Sequence, residues 1–336
     1  MPGPACYGRG GSEATVTDAD LFLGYIGAQS FLGGRMPLAR DSAEAALDRL
    51  AGQLRLSRVA TAAGIVEIVE NNMATAARIH VAEEGQDPRR YRLLAFGGAG
   101  PVHAYGLARI LGIREVIFPR GAGVASAIGM LVAPRSAEFT RSYVQRVTTI
   151  NWEAVHRILA ELESRGRELL VEAGAEPHDI RIEPAADMRY VGQGYEITVP
   201  LAQAVLLGKN VDELRRAFDA QYQIRFGRSL NMSVEVVSWR VRVLAAPVAD
   251  EVRLEQAAAS REAGAVGERD VYFAEAGGFH TTPVLLRNRL APGAHVDGPA
   301  IIEEAESTVV VGPGAAVTID DAGNLVMRLD NKRVPG

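Results

Sequence analysis

The amino-acid sequence predicts an α/β fold followed by an α+β region that is rich in β-strands. Between residues 40 and 134, helical and strand patterns alternate, and two short strands each lead into a helix through a glycine-rich turn. From about residue 136 amphipathic helices alternate with strands, and from residue 268 short strands separated by Pro and Gly dominate. We therefore predict two domains, over residues 1–140 and 141–336.

The composition is that of an ordinary globular protein. The 336 residues suffice for two domains, and 48% of them are hydrophobic and 23% charged. The net charge is −5 and no dense block of Lys and Arg occurs, which argues against nucleic acid as a partner. The single cysteine, Cys6, excludes an intrachain disulfide and fits a reducing cytoplasm. No apolar run is long enough to span a membrane, and the first residues lack a signal-peptide pattern.

Three helices are predicted ahead of the first strand. Thr15 to Asp18 lead into an apolar segment, and Asp18 is placed to cap its helix. Residues 42–56 form the second helix, with Ser42 as its cap. Residues 57–84 repeat apolar side chains at helical spacing and form the third.

The most informative stretch is a strand, a glycine turn and a helix over residues 93–111. The apolar run 93–96 predicts a buried strand, and Pro101 suits the first helical turn, where its missing N–H costs nothing. Glycines let backbone N–H groups approach a ligand, and a helix N-terminus adds unpaired donors and partial positive charge. The predicted binding residues are Gly97, Gly98, Ala99, Gly100, Pro101, His103 and Asn72.

The turn suits a phosphate, a nucleotide or a carboxylate, but it is not a specific fingerprint. It matches neither the Gly-x-Gly-x-x-Gly of dinucleotide sites nor the Gly-x-x-x-x-Gly-Lys-Ser/Thr of P-loops. A tight turn packed inside an α/β domain is the alternative that the residues leave open. A second glycine-rich turn over residues 121–127 falls at the same end of the sheet, where ligands of such folds bind.

Three side chains are candidates for catalysis: Asp18, His103 and Cys6. His103 follows the glycine turn, either close to a ligand or as a structural histidine beneath the turn. Cys6 lies among glycines and is predicted to be exposed, where a thiol could act as nucleophile or ligand. Asp18 could hold a phosphate or a metal besides capping its helix. The sequence has no His-x-x-x-His, Cys-x-x-Cys or His-Glu-x-x-His, and therefore no self-contained metal site.

The second region contains three strand patterns, over residues 179–183, 187–191 and 194–199. Alternation places Asp187 and Arg189 on one face, where they are predicted to pair and brace a hairpin. The stretch from Glu255 to Arg269 is predicted to be exposed.

Six strings of the sequence together resemble the hydantoinase A / 5-oxoprolinase family, which includes ATP-dependent subunits of N-methylhydantoinase and of acetone or acetophenone carboxylase. They occur in this order: Pro2–Gly11, Thr15–Ala19, Asn72–Met73, Ala95–Ala104, Arg189–Gln193 and Gly298–Glu304. The resemblance covers nearly the whole chain. It implies the C-terminal part of an actin-like ATPase (ribonuclease H-like) domain, followed by the α+β, β-rich C-terminal domain of the family.

The resemblance implies ATP and Mg²⁺ as cofactors and a hydantoinase B-like subunit as a partner. Members carry two Asp-x-Gly-Gly-Thr phosphate loops upstream of the Pro-Gly-Pro-Ala-Cys-Tyr-Gly segment, and this chain contains no such loop. The chain is thus expected to be the C-terminal half of a subunit, inactive alone and oligomeric, with the N-terminal half as a second partner. Its glycine turn would lie against the adenosine end of the nucleotide.

Three functions follow from these observations. The first is a portion of an ATP-dependent cyclic-amide hydrolase, or related carboxylase, that activates a ring amide or ketone by phosphorylation. The second is a non-catalytic assembly or regulatory module of such a complex. The third is a stand-alone hydrolase that uses Cys6. Hydantoins, 5-oxoproline, lactams and ketones all remain possible substrates.

Overall fold

The computed structural model describes residues 2–247 and 264–330, and these form two compact units. The first unit consists of residues 2–128 together with 264–330, and the second of residues 129–247. The β-rich end of the chain therefore groups with the glycine-turn region, whereas the domain boundary near residue 140 stays a prediction. The exposed stretch predicted from Glu255 onward lies mostly outside the described residues.

The described residues contain eight α-helices, numbered in chain order. They are α1 (Val16–Phe22), α2 (Arg40–Leu54), α3 (Arg58–Glu83), α4 (Gly100–Leu111), α5 (Ala125–Val132), α6 (Trp152–Glu172), α7 (Gln203–Leu207) and α8 (Val211–Phe226). None of these helices is both long and apolar enough to cross a membrane.

Thirteen strands accompany them in the same residues. They are β1 (Leu93–Leu94), β2 (Glu115–Phe118), β3 (Arg135–Arg146), β4 (Arg181–Tyr190), β5 (Ile197–Pro200), β6 (Val234–Ala245), β7 (Gly267–Phe273), β8 (Gly278–Leu286), β9 (His295–Asp297), β10 (Ala300–Glu303), β11 (Thr308–Val311), β12 (Ala315–Ile319) and β13 (Leu325–Leu329).

Two sheets form the first unit. One has the order β1-β2-β13-β12-β9 and the other β11-β10-β8-β7. The β1–β2 pair is parallel, as a strand–helix–strand connection through α4 requires, whereas β13 pairs with β2 in the antiparallel direction. Helix α4 packs on β2 and β11, so the buried side of its glycine turn faces both sheets.

Local sequence signals set the helix boundaries. The Thr15 side chain and Asp18 form a reciprocal capping box at the start of α1, and the Ser57 side chain caps α3. The helix predicted over residues 57–84 is confirmed. The cap predicted at Ser42 is wrong, because α2 begins two residues earlier, after Ala39, and has no side-chain cap.

The predicted strand over residues 93–96 is shorter and more exposed than expected. Only Leu93 and Leu94 pair, and β1 lies at the edge of its sheet. Leu94 is 55% exposed and Phe96 47%, while Ala95 between them is buried. Successive side chains of an extended chain point to opposite faces, so Leu94 and Phe96 share the uncovered face and Ala95 the covered one.

The second unit is a four-stranded antiparallel sheet in the order β3-β6-β4-β5, with α6 packed on it. The strands predicted at 179–183 and 187–191 are one strand, β4, with a register shift after Asp187. Pro184 is tolerated within β4 because β5 pairs with it only from Ala185 onward. The core contains Trp239, Tyr190 and Phe218.

The predicted Asp187–Arg189 pair is wrong. The buried Asp187 accepts hydrogen bonds from Arg240 on β6 at 2.9 Å, whereas Arg189 pairs with Glu235 at 2.8 Å. The neighbouring strand supplies both partners, because Glu235 of β6 lies directly opposite Arg189 and Arg240 lies opposite Ala185, diagonal to Asp187.

Candidate functional site

The glycine turn between β1 and α4 is held by backbone hydrogen bonds from beneath. The Ala95 N–H donates to Ile117 O at 2.9 Å, and the Gly97 N–H donates to Ala122 O at 2.8 Å. Gly97 has a φ of +88°, a conformation that side chains other than glycine rarely adopt. The two glycine-rich turns thus brace each other, as their shared end of the sheet predicts.

A cavity of about 200 Å³ lies against this turn. Gly98 and Ala99 form part of its wall, together with Val102 of α4 and Tyr7 near the start of the chain. The remaining wall comes from α1, the segment between α1 and α2, and the residues from just after β10 to the first residue of β11. An added Cβ at Gly98 would lie 3.5 Å from the Glu306 carbonyl oxygen, an ordinary contact. The segment after β10 therefore closes against the turn without crowding it.

The charges of the cavity wall are all of one sign. Its lining includes the carboxylates Asp20, Glu304 and Glu306, and no Lys or Arg among the described residues lines the cavity itself. Glu304 and Glu306 are ion-paired from outside the lining, with Arg287 at 3.2 Å and with Arg35 at 3.1 Å. Carboxylates accept hydrogen bonds and repel phosphate groups. The wall therefore suits a hydrogen-bond donor better than a phosphate group. Small-molecule sites occupy roughly 300–1,000 Å³, so a cavity of this size accommodates part of a nucleotide.

The other predicted binding residues fall into two groups. Gly97, Gly100, Pro101 and His103 lie within or behind the turn and do not line the cavity. Asn72 is exposed on α3 and is not brought to the cavity. Helical periodicity explains its position, because the next two residues, Met73 and Ala74, face the core.

His103 is buried between two carboxylates. Its Nε2 lies 3.5 Å from Asp20 Oδ2, and its Nδ1 lies 3.7 Å from Glu70 Oε1. Burial alone would lower the pKa of His103, but the two carboxylates outweigh it and raise the pKa to about 9. The imidazole is therefore protonated at neutral pH and ties α1 to α3.

Sequence reasoning missed both carboxylates. Asp20 is 4% exposed, and its burial raises the pKa of its carboxyl group although His103 opposes this. The signal was an acidic residue within the apolar run Ala19–Leu23. Glu70 approaches α4 where Gly106 lacks a side chain, since a Cβ there would lie 2.1 Å from Glu70 Oε2.

Asp18 has a structural role in the described residues. Its carboxylate accepts hydrogen bonds from the N–H groups of Ala5, Cys6 and Thr15 at 3.2, 2.8 and 2.9 Å, and from Thr15 Oγ1 at 2.7 Å. Four donors occupy the lone pairs that a ligand or metal would need. The catalytic role predicted for Asp18 stays untested.

The exposure predicted for Cys6 is wrong. The side chain is fully buried, and burial, together with Asp18, raises the pKa of the thiol far above its usual range. The thiolate that a nucleophile requires is strongly disfavoured there. The glycines around Cys6 shape a tight turn, and the Asp18 carboxylate holds that turn against α1.

Among the residues that the structure describes, no group of three or more His, Cys, Asp or Glu side chains is placed to hold a metal ion.

Comparison with known proteins identifies the family. The family model described as Hydantoinase/oxoprolinase matches residues 1–139, and that of the Hydantoinase/oxoprolinase C-terminal domain matches residues 144–328. The chain belongs to the hydantoinase/oxoprolinase family, as the resemblance predicts.

Two relatives and one solved structure illustrate the similarity. Caprolactamase subunit alpha of Pseudomonas jessenii is 31% identical over 95% of this chain and 47% of its own length. The acetophenone carboxylase gamma subunit of Aromatoleum aromaticum is 30% identical over 97% and 46%. The crystal structure of ATP-dependent caprolactamase from Pseudomonas jessenii superposes with a TM-score of 0.73 at 29% identity, over 98% of this chain and 49% of that one.

These matches confirm the predicted fold class, an α/β ATPase-like fold with a β-rich C-terminal region. The chain spans about half the length of the curated relatives that it matches. The relatives are named as subunits of enzymes that comprise several chains.

Proposed function

We propose that this chain forms part of an ATP-dependent enzyme that activates a ring amide or a ketone by phosphorylating its oxygen. We further propose that the cavity beside Gly98 and Ala99, here called the glycine-turn cavity, contacts the adenosine end of the nucleotide. The observation that carries the proposal is the cavity wall, which joins the Gly98–Ala99 backbone to three carboxylates and includes no Lys or Arg among the described lining residues. Asp20 is the carboxylate of this wall that has no arginine partner in those residues, since Glu304 pairs with Arg287 and Glu306 with Arg35. Such a wall accepts hydrogen bonds from an amino group or from hydroxyl groups and disfavours phosphates.

The family membership supports ATP as the cofactor and the actin-like ATPase as the fold. ATP supplies a phosphoryl group that converts an amide oxygen into a leaving group, which overcomes the resistance of a resonance-stabilised amide. On a ketone, the phosphoryl group would trap the enolate as an enol phosphate, and cleavage of its O–P bond would release phosphate as the enol carbon bonds to CO₂ and the carbonyl re-forms. This chain lacks Asp-x-Gly-Gly-Thr loops and, in its described residues, a cluster for Mg²⁺. We assign the phosphate and Mg²⁺ contacts to the N-terminal half, and completion of the reaction to a hydantoinase B-like subunit in the same cytoplasmic complex.

The edge strand β1 supports the N-terminal half as a partner. One side of β1 has no strand beside it in the described residues, and Leu94 and Phe96 expose apolar surface there. An exposed strand edge with apolar side chains is a surface on which further strands add. We propose that the N-terminal half continues the sheet at β1.

The test is isothermal calorimetry of Mg·ATP binding to the chain alone and to the chain co-expressed with an N-terminal half that carries both phosphate loops. We expect binding in the reconstituted pair. Gly98→Val should abolish it, because the valine methyl groups enter the cavity while its Cβ makes only an ordinary contact. Gly52→Val is the matched control, because Gly52 lies in open space on α2.

Absence of ATP binding in both forms would overturn the proposal. The alternative, a non-catalytic assembly or regulatory module of the same kind of complex, would then be favoured. Binding that survives Gly98→Val would retain ATP as the ligand but remove the glycine-turn cavity as its site.

A further inference from the structure

Asp20 is the buried polar group of the cavity whose hydrogen bonding is incomplete. It lines the cavity, its residue is 4% exposed, and its Oδ1 has no hydrogen-bond partner among the described residues. An unsatisfied buried carboxylate oxygen costs free energy unless a donor reaches it. Its position at the cavity wall makes a bound ligand the natural source of that donor.

His103 and Glu70 lie behind Oδ2, the other carboxylate oxygen of Asp20. Oδ2 lies 3.5 Å from His103 Nε2, and Nδ1 of the same ring lies 3.7 Å from Glu70 Oε1, an ion-pair distance at which Nδ1 makes no hydrogen bond to the described residues. The side chains of Asp20, His103 and Glu70 are 6%, 4% and 16% exposed, so water screens these charges little. A carboxylate on each side of one imidazole favours the imidazolium. The imidazolium in turn opposes, without outweighing it, the rise that burial causes in the pKa of Asp20.

Glu70 owes its place to a glycine. A Cβ at Gly106 of α4 would lie 2.1–2.3 Å from the Glu70 carboxylate, which is the mobile end of a long side chain. Glu70 also lines a second cavity of about 450 Å³, together with Tyr25, Tyr105, Arg109 and Glu275. Asp20, His103 and Glu70 therefore form a row of side chains that connects the first cavity to the second.

We propose that Asp20 is the ligand-contacting acceptor of the glycine-turn cavity, for an amino or hydroxyl group of a nucleoside, and that His103 and Glu70 are its positioning residues. The nucleoside as ligand rests on the proposed function; the support of Asp20 by His103 and Glu70 rests on geometry alone. A donor on the ligand completes the hydrogen bonding of Oδ1. The wall then distinguishes an uncharged donor from a phosphate by charge.

The first experiment follows the six histidine imidazoles by NMR titration of the full chain. One signal should titrate near pH 9, disappear in His103→Gln, and move toward the ordinary range near pH 6.5 in Asp20→Asn and Glu70→Gln. Gly106→Ala should act in the same direction as Glu70→Gln, because it displaces the Glu70 carboxylate without altering a charge. Glu83→Gln, an exposed charge change at the far end of the same helix and away from the second cavity, is the matched control.

Other charged and titratable side chains line the cavities on either side of Asp20, His103 and Glu70, and their ionisation could also influence the His103 signal. Around the second cavity they are Tyr25, Glu67, Tyr105, Arg109, Tyr272 and Glu275. Around the first cavity they are Tyr7, Glu304 and Glu306. Burial raises the pKa of Tyr25 well above its usual range, so it stays neutral throughout the titration. Ordinary titration of all six histidines, or a His103 signal that ignores Glu70→Gln, would overturn the positioning roles.

The second experiment measures adenosine, 2′-deoxyadenosine and purine riboside binding to the chain reconstituted with the N-terminal half. Asp20→Asn should weaken adenosine binding about tenfold. 2′-Deoxyadenosine lacks the 2′-hydroxyl group and purine riboside lacks the 6-amino group. Asp20→Asn should have a smaller effect on the analogue that lacks the hydrogen-bond donor to Asp20. Adenosine binding that Asp20→Asn leaves unchanged would overturn the role of Asp20 alone. Absence of adenosine binding by the wild type would overturn the proposed function and, with it, the nucleoside as the ligand of Asp20.

Discussion

The Asp18 carboxylate accepts a hydrogen bond from the Cys6 backbone N–H at 2.8 Å and thereby fixes the Gly/Pro-rich start of the chain to α1. Three further donors from Ala5 and Thr15 share the same carboxylate. Asp18→Asn leaves N–H groups facing an amide NH₂, and we expect it to destabilise the fold by about 2–3 kcal/mol. Denaturant unfolding measures this change. Glu13→Gln, an exposed neighbour, should change the free energy of unfolding by less than about 0.5 kcal/mol.

The thiol of Cys6 should be unreactive in the native protein. It is fully buried and its pKa is raised, and because the chain has one cysteine, any labelling reports on it alone. We expect maleimide to label native protein slowly and denatured protein completely, as followed by intact mass. Asp18→Asn should accelerate native labelling because it frees the turn. Rapid labelling of the native wild type would contradict the burial and reopen a stand-alone hydrolase that uses this thiol.

Gly166 of α6 is required by its contact with Val243 of β6. A Cβ at position 166 would lie 2.5 Å from Val243 Cγ1, inside the core of the second unit. Gly166→Ala should destabilise by about 1–3 kcal/mol through overpacking, although alanine favours helices. Gly52→Ala on α2, where nothing lies nearby, should stabilise by about 0.5 kcal/mol. The double variant Gly166→Ala/Val243→Ala should lose less free energy of unfolding than the sum of the two single variants, because the smaller side chain at position 243 makes room for the new methyl group. Strictly additive losses would show that the two side chains do not collide.

Arg240 neutralises the buried Asp187 in the second unit. Burial would raise the pKa of Asp187, but hydrogen bonds from Arg240, Ser238 and Thr198 outweigh it and hold the pKa below its usual range. Arg240→Ala should therefore destabilise by about 2 kcal/mol, because it leaves a buried charge unpaired. Arg242→Ala, on the same strand with a 3.9 Å exposed contact to Glu183, should have almost no effect.

The lowered pKa of Asp187 also fixes the direction of its pH dependence. A carboxylate whose pKa is lowered on folding contributes stability that is present above its unfolded pKa of about 3.9 and is lost as the pH falls through the folded value. The wild type should thus lose more stability than Asp187→Asn on acidification below pH 4. Parallel losses in both proteins would assign the acid sensitivity to other carboxylates.

Features carried by neighbouring residues could be predicted from the sequence. The α3 helix, predicted over 57–84, spans Arg58–Glu83 because Ser57 caps it and its apolar spacing is regular. The glycine turn was predictable because strand, glycines and Pro101 are contiguous. The exposure of Leu94 and Phe96 was not, since an apolar run does not reveal which face of its strand is left uncovered.

Features that depend on contacts between residues far apart in the sequence could not be predicted from it. Asp20, Glu70 and His103 belong to three different helices, and only the packing of α1, α3 and α4 brings them together. Their individual patterns are weak, because a lone histidine or acidic residue has no fixed partner spacing. Asp187 shows the same limit, since its partner Arg240 comes from β6, whose position beside β4 the local alternation does not reveal.

The protonated His103 should stabilise the first unit in a defined pH range. Its pKa is raised from an ordinary 6.5 to about 9, so its contribution is complete below pH 6.5 and is lost as the pH rises through 9. The free energy of unfolding of the wild type should exceed that of His103→Gln by about 2 kcal/mol more at pH 6.5 than at pH 10. Urea unfolding at both pH values measures the difference, and titrations shared by the two proteins cancel. His178→Gln is the control, because its side chain is 79% exposed and should show no such change. If the difference in free energy of unfolding between wild type and His103→Gln stays the same from pH 6.5 to pH 10, His103 is not held in its protonated form by folding.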